Sequence, residues 1–266
     1  MKEIDCSILI FSCDKNVDLL KNFAIQFNRY WNDCKLEKYF CLERSNFIIE
    51  GFKTLKSEKK IWSDRVKDYL SQIDTKLVLI MLDDYWIENF VDNEKVEDLI
   101  SMMEKNSNIG NIAFSNIQDK KDVGFDDILI KRSHKGNYLL NLQIGIWNKK
   151  LFAKLLHSGE NPWQAELFGS IRASKYVDID FFSLKDDKLM PIPFNRGWLI
   201  VQGKWNGYEV EKFRLQYGLS IDTKGREVLF SNWHKIALLK RVIRRFRIEM
   251  YKVKYIFKKN IRGVIE

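Results

Sequence analysis

Proline is almost missing from this chain, with 3 in 266 residues, and glycine is sparse at 13. So little of either excludes long flexible linkers and low-complexity tracts, and no internal repeat breaks the chain into an array. Cysteine is limited to Cys6, Cys13, Cys34 and Cys41. With no CxxC pair and no histidine at zinc-like spacing, these read as buried, reduced thiols. No apolar window is long enough to span a bilayer. The opening MKEIDCSILIF lacks a basic region followed by a cleavage site, so no signal peptide is expected and the chain is expected to face the cytosol. There is no GxGxxG, no GxxxxGK and no GxSxG, which leaves hydride transfer, P-loop chemistry and serine hydrolysis without support. His134, His157 and His234 fall in neither triad nor metal spacing.

Apolar and aromatic residues are plentiful, 45% and 14% of the chain, enough for a sizeable core. The length suits one domain with an appendage. Charge is unevenly placed. The whole chain carries +9, yet residues 235–262 hold eleven Lys or Arg against the single acid Glu249, so the remainder is close to neutral. Such asymmetry marks a local interaction surface.

The most telling stretch is KLVLIMLDDYWIENF, residues 76–90. The apolar run Leu77 to Leu82 reads as a strand buried on both faces, and it stops at Asp83 and Asp84. In an open α/β sheet, ligands bind outside the carboxyl ends of the strands. Two acids there form a hard-oxygen site suited to Mg²⁺ or Mn²⁺ carrying a phosphorylated substrate. The competing reading is an ordinary strand end with an acidic turn.

Elsewhere the first half alternates strand and helix. Strands are expected at Ile4 to Ser12, Tyr39 to Leu42 and Ile109 to Phe114. Helices are expected at Val17 to Tyr30, at 94–105, and on the stripe Trp62, Val66, Tyr69 and Ile73. That rhythm predicts a mostly parallel sheet with helices on both faces. The second half predicts a strand over Asn137 to Trp147, helices over Lys149 to His157 and Trp163 to Ala173, and a strand over Val177 to Phe182. Residues 190–207 read as a shaped loop region.

A strand and helix, a short strand ending in an acid, and a strand ending in Asp-Asp together resemble the GT-A glycosyltransferases, in particular family 2-like enzymes of bacterial capsule and surface-polysaccharide synthesis. WSDRVKDYLSQIDTKLVLIMLDDYWI resembles their helix and acidic strand end. LQIGIWNKKLFAKLLHSGENPWQAELFGSIRA resembles their acceptor-side segment, and NRGWLIVQGKWN with YGLSID their closing segments. The likeness covers most of residues 4–220. It implies a GT-A-like α/β domain over 1–230, with a nucleotide-sugar half (1–116) and an acceptor half (117–230), followed by 231–266. By position it implies that Asp14, Glu43, Asp83 and Asp84 hold a nucleotide-sugar donor, with Asp84 as ligand of a divalent cation (Mn²⁺ or Mg²⁺) and Asp83 toward ribose. Tyr85 stands where the family's last acid would be.

Glu166 is the candidate general base for the acceptor hydroxyl, with Glu160 as runner-up. A helix beginning near Pro162 puts Glu166 on one face with Trp163, and a carboxylate beside an indole is partly desolvated, which favours a proton. The alternative for Glu166 is a surface acid or a partner in a cap begun at Asn161. Trp163, Trp198 and Trp205 could stack on sugar rings, Trp163 being the one selected. Arg172 and Arg196 could contact diphosphate.

Ile236, Leu239, Ile243, Phe246, Met250, Val253 and Phe257 recur at steps of three and four, with Lys and Arg between them. This predicts a basic amphipathic helix at an anionic membrane surface, with packing on the domain or a coiled coil as alternatives. It agrees with the lipid-linked glycan acceptors, at the inner face of the cytoplasmic membrane, that the resemblance implies. The competing functions are a nucleotidyltransferase of similar fold, disfavoured by the glycine-free FSCDKNVD after the first strand, and a nucleic-acid-binding protein using the basic segment. No nucleic acid is expected, given a neutral body without a recognisable module.

Overall fold

The computed structural model describes residues 4–196 and 198–230. The basic segment 235–262, and all of 231–266, lies outside the described residues. In chain order the elements are β1 (Cys6–Phe11), α1 (Val17–Tyr30), β2 (Glu37–Leu42), β3 (Lys53–Lys56), α2 (Trp62–Ser71), β4 (Leu77–Leu82), α3 (Asn93–Lys105), β5 (Ile109–Ala113), β6 (Val123–Gly124), β7 (Leu129–Lys131), β8 (Gly145–Asn148), α4 (Lys149–Leu155), α5 (Pro162–Ala173), β9 (Asp180–Leu184), β10 (Ile200–Val201), β11 (Lys204–Asn206), α6 (Gly207–Tyr217) and β12 (Val228–Leu229).

The fold is a mixed α/β arrangement around a nine-stranded sheet of order β3-β2-β1-β4-β8-β5-β9-β7-β6. Strands β3, β2, β1, β4, β5 and β9 run one way, and β8 is wedged antiparallel between β4 and β5. The sheet therefore draws strands from both halves of the chain. A small second sheet, β10-β11-β12, closes the far end.

The unbroken apolar strands follow from burial on both faces. In β1, Ile8 and Ile10 join Phe23, Phe27, Val96 and Ile100 in the core beneath α1 and α3. Their neighbours Leu9 and Phe11 join Val66, Phe152 and Ala165 beneath α2, α4 and α5. β4 divides likewise, Leu79 and Met81 to one side and Val78 and Ile80 to the other. A strand with water on one face would alternate apolar and polar instead.

Two expectations need correcting. Residues 137–147 are not one strand, since only Gly145–Asn148 pairs. Upstream, Tyr138 has φ of 58°. The Leu140 and Leu142 amides donate to Ser170 Oγ (3.1 Å) and Glu166 Oε1 (2.9 Å) of α5. The apolar run is buried against a helix instead of joining a ladder. The late strand is Asp180–Leu184, because a turn at 176–179 takes up its expected start. All four cysteines are free, with Cys6 and Cys41 buried but Cys13 and Cys34 only half-buried. Trp205 is fully buried and belongs to the core, not to a sugar platform. Among the described residues no helix is long and apolar enough to cross a membrane.

Candidate active site at the carboxyl edge

Strands β2, β1 and β4 are parallel neighbours, so the turns that follow them meet at one edge of the sheet. Asp14, Glu43, Asp83 and Asp84 all stand there, as expected from their positions after apolar strands.

Asp83 is buried, its amide donating to Phe11 O at 3.2 Å. Its Oδ2 accepts from Ser12 Oγ at 2.6 Å and Asn16 Nδ2 at 2.8 Å, and its carbonyl accepts from Trp86 Nε1 at 3.1 Å. Asn16 stands at the N-cap of α1 but makes no cap bond. It donates to Asp83 and accepts from Arg226 Nη2 at 2.7 Å. Arg226 also forks onto Asp18, at 2.7 and 2.8 Å, and donates to Lys15 O at 2.6 Å. A chain Arg226–Asn16–Asp83–Ser12 thus ties the end of the described chain to the acidic edge.

Asp84 is half-buried, and no cation pairs with it among the described residues. Burial first, and then the neighbouring Asp83, raises its pKa above the usual carboxylate range. Burial raises that of Asp83 too, against the hydrogen bonds from Ser12 and Asn16. Two desolvated carboxylates side by side favour a shared proton or a bound cation. A divalent ion fits this donor set as a hard-oxygen site. Among the described residues no three His, Cys, Asp or Glu side chains could hold a metal by themselves, so further ligands would come from a diphosphate and water.

Asp14 and Glu43 are locked together. Asp14 Oδ1 accepts from the amides of Glu43 (3.1 Å) and Ser45 (3.2 Å), and Oδ2 from Arg44 (3.1 Å). Glu43 Oε2 in turn accepts from the Asp14 amide at 2.5 Å, and Arg65 lies 3.4 Å from Oε1. These two carboxylates shape the walls left by β1 and β2 more than they project into the space between.

The acceptor-side candidates separate into two sets. Glu166 is half-buried on α5 and accepts from the Leu142 amide. Its environment includes Tyr85, whose phenol is pushed up by burial, then by Asp84 and Glu166. Tyr85 accepts from Gln143 Nε2 at 3.1 Å and packs on Phe194 with ring centroids 4.7 Å apart. Asp84, Tyr85, Gln143 and Glu166 therefore form one neighbourhood, joined by the adjoining residues Leu142 and Gln143, which donate to Glu166 and Tyr85. Trp163, in the first turn of α5, is 69% exposed.

Glu160 and Arg172 do not open onto this neighbourhood. They pair bidentately with each other at 2.8 and 2.7 Å, and both are nearly buried. Arg172 Nε also donates to Leu155 O at 2.8 Å, while Glu160 Oε2 accepts from the His157 amide at 3.1 Å. Both oxygens of the carboxylate are engaged by the guanidinium, and the guanidinium is equally committed. The pair buttresses the start of α5, whose capping box is Asn161 with Gln164 and not Glu166. Arg196 pairs with Asp187 at the surface.

Ser12, Asn16, Gln143 and Arg226 were not singled out from sequence. Asn16 carried one signal, a good capping residue before a helix. Arg226 carried none.

No protein-family model matches the chain, and no curated protein sequence matches it. Among solved structures, it is similar to S. aureus TarS 1–349 (13% identity, TM-score 0.43), covering 67% of this chain and 59% of that one. It is also similar to a cytidylyltransferase from Leptospira borgpetersenii (11% identity, TM-score 0.42, covering 92% and 97%). A third is CMP:2-keto-3-deoxy-manno-octonic acid synthetase complexed with CTP (11% identity, TM-score 0.40, covering 67% and 88%). The match thus spans less than two thirds of the TarS chain. At these identities the likeness extends no further than fold class.

Proposed function

We propose that the protein is a glycosyltransferase that moves a sugar from a nucleotide-sugar donor to a glycan acceptor. The observation that carries the reading is the pairing of two differently placed acids around Tyr85. Asp84 lies at the sheet edge, where no cationic side chain pairs with it among the described residues, and Glu166 approaches from α5, held by the Leu142 amide beside the Gln143 that donates to Tyr85. Glycosyl transfer requires such a division, with leaving-group charge met on one side and an acceptor hydroxyl deprotonated on the other.

In this reading the turns built by Asp14 and Glu43 wall the nucleotide, and Asp83 faces the ribose. Asp84 would hold Mn²⁺ or Mg²⁺ together with the donor diphosphate. Such an ion, when bound, supplies Lewis-acid stabilisation of the departing diphosphate. Glu166 takes the proton from the acceptor hydroxyl, and inversion at the sugar carbon follows from attack opposite the leaving group. Trp163 offers an exposed indole face to an acceptor sugar. Glu160 and Arg172 are assigned no chemical step and serve to orient α5. The acceptor is proposed to be a lipid-linked glycan of bacterial surface polysaccharide such as capsule. The enzyme would then be peripheral at the inner face of the cytoplasmic membrane, through 231–266.

The test is a panel of nucleotide sugars and nucleoside triphosphates, scored by thermal shift with and without Mn²⁺ and then by transfer. A nucleotide sugar should stabilise the protein only with the ion. Asp84→Asn should abolish that stabilisation. Glu166→Gln should keep it while transfer falls on the order of a hundredfold. Stabilisation by a triphosphate alone, with release of pyrophosphate, would replace this reading by nucleotidyl transfer.

A further inference from the structure

Exposed aromatic residues scattered singly are ordinary, but three of them flank one end of the small sheet. Leu199 O accepts from the Asn206 amide at 2.9 Å, and Asn206 is in register with Leu229. Trp198, Tyr208 and Phe230 each lie within two residues of that row. They are 53%, 55% and 60% exposed. The Tyr208 and Phe230 rings meet edge to face, centroids 5.6 Å apart. Phe230 lies flat over Gly207, where a Cβ would come within 2.4 to 2.6 Å of three ring atoms. Trp198 is held at φ of 58°, a conformation a bulky side chain rarely adopts. The Tyr208 and Phe230 rings thus hold each other in place, which lowers the entropic cost of using them.

The geometry points to this aromatic edge as the surface through which the folded body meets an anionic lipid bilayer. That assignment rests on the proposed action on a membrane-held acceptor. The occupant follows from what adjoins the edge. Phe230 is where the chain passes into a sequence with eleven Lys or Arg and one acid over 235–262. Tryptophan and tyrosine suit the headgroup boundary, where one side of the ring is apolar and the other is wet. Basic residues that follow Phe230 this closely in sequence would draw the same end of the molecule toward anionic lipid. The acids near the edge are all engaged by cations: Glu211 pairs with Arg214 at 2.9 Å and Glu227 with Lys204 at 2.5 Å, while Lys212 is shared by Glu209 at 2.6 Å and Glu88 at 2.5 Å. Arg226 couples the same end of the molecule to Asp83 through Asn16, so the edge would present the acidic site to the membrane in one orientation.

The experiment compares the full chain with the triple variant Trp198→Ser, Tyr208→Ser and Phe230→Ser on phosphatidylcholine vesicles with and without phosphatidylserine. Wild type should sediment with the anionic vesicles. The variant should lose partitioning on the order of tenfold or more, as expected for three rings withdrawn from an apolar boundary, and what remains should vanish in high salt. Stabilisation by nucleotide sugar with Mn²⁺ should be unchanged in the variant. Its absence from both proteins would count against the enzymatic reading and leave vesicle binding to judge the edge. Unchanged partitioning in the variant overturns the proposal. So does unchanged partitioning with lost transfer to a soluble acceptor, which would make the edge a sugar platform. If the triple variant does not fold, Trp198→Phe alone decides. Quenching of tryptophan emission by shallow brominated lipid should be smaller in that variant than in wild type. Equal quenching overturns the assignment.

Discussion

Two pairs of charged side chains, one at the head of α5 and one at the end of β4, are treated in opposite ways by the fold. At the head of α5, Glu160 meets Arg172 in a bidentate pair whose remaining valences go to backbone groups. At the end of β4, Asp83 and Asp84 are a like pair, and among the described residues only Asp83 has side-chain donors to satisfy it. Where stability is the sole demand, a buried charge is neutralised by a partner in the same chain. Where it is not, the charge is left for something that arrives from outside.

The comparison is broken most directly at the satisfied pair. Arg172→Ala leaves Glu160 as an unpaired carboxylate and should cost about 3–5 kcal/mol in denaturant unfolding. A loss under about 1 kcal/mol would show that α5 does not depend on the pair. The unsatisfied pair should respond with the opposite sign. Burial raises the pKa of Asp84 in the folded protein, so between its unfolded and folded pKa values the native state binds more protons than the unfolded one. Stability therefore falls as pH rises through that window, and the full penalty is present above it. Asp84→Asn should stabilise the ligand-free protein by on the order of 1–2 kcal/mol at pH 8, and hardly at all at pH 4. Equal melting temperatures of the two proteins at pH 8 would mean that the acids carry no stored repulsion. The same protons must leave when a cation binds, so Mn²⁺-dependent nucleotide affinity should rise from pH 5 to 8, as isothermal titration would register. Smallest in stability is Trp163→Ala, expected within about 0.5 kcal/mol because the ring is on the surface. Its effect should fall on the acceptor KM, and a change confined to donor affinity would move Trp163 to the other side of the site.

What was legible in the sequence follows the same division. β4 and its acids announced themselves because burial on both faces demands an unbroken apolar run, and the run ends where the sheet does. The helix α1 was bounded correctly for a similar reason, its stripe being fixed by Phe23 and Phe27 against the sheet. Glu160 and Arg172 each look like a chemical group when read alone, and only the three-dimensional pairing shows that they answer one another. Arg226 reaches Asn16 from 210 positions away, a distance no local pattern encodes. The misread strand over 137–147 had the right composition. Its Leu139, Leu140 and Leu142 are indeed buried, but against α5 and not within a ladder.

The position of β8 has a consequence for how the molecule is made. It is inserted between β4 and β5, although both precede it in the chain. Gly145 permits the close approach, since a Cβ there would come within 2.6 Å of Ile112 O and 2.9 Å of Ala113 Cα. Until residues 145–148 leave the ribosome, one edge of β4 has no partner, and β5 has none on either side because β9 also lies downstream. Pairings that must wait for distant sequence fold slowly and leave sticky intermediates in the interval. Residues 1–116 expressed alone should therefore tend to aggregate, and a nascent chain stalled before residue 145 should be an avid client of chaperones.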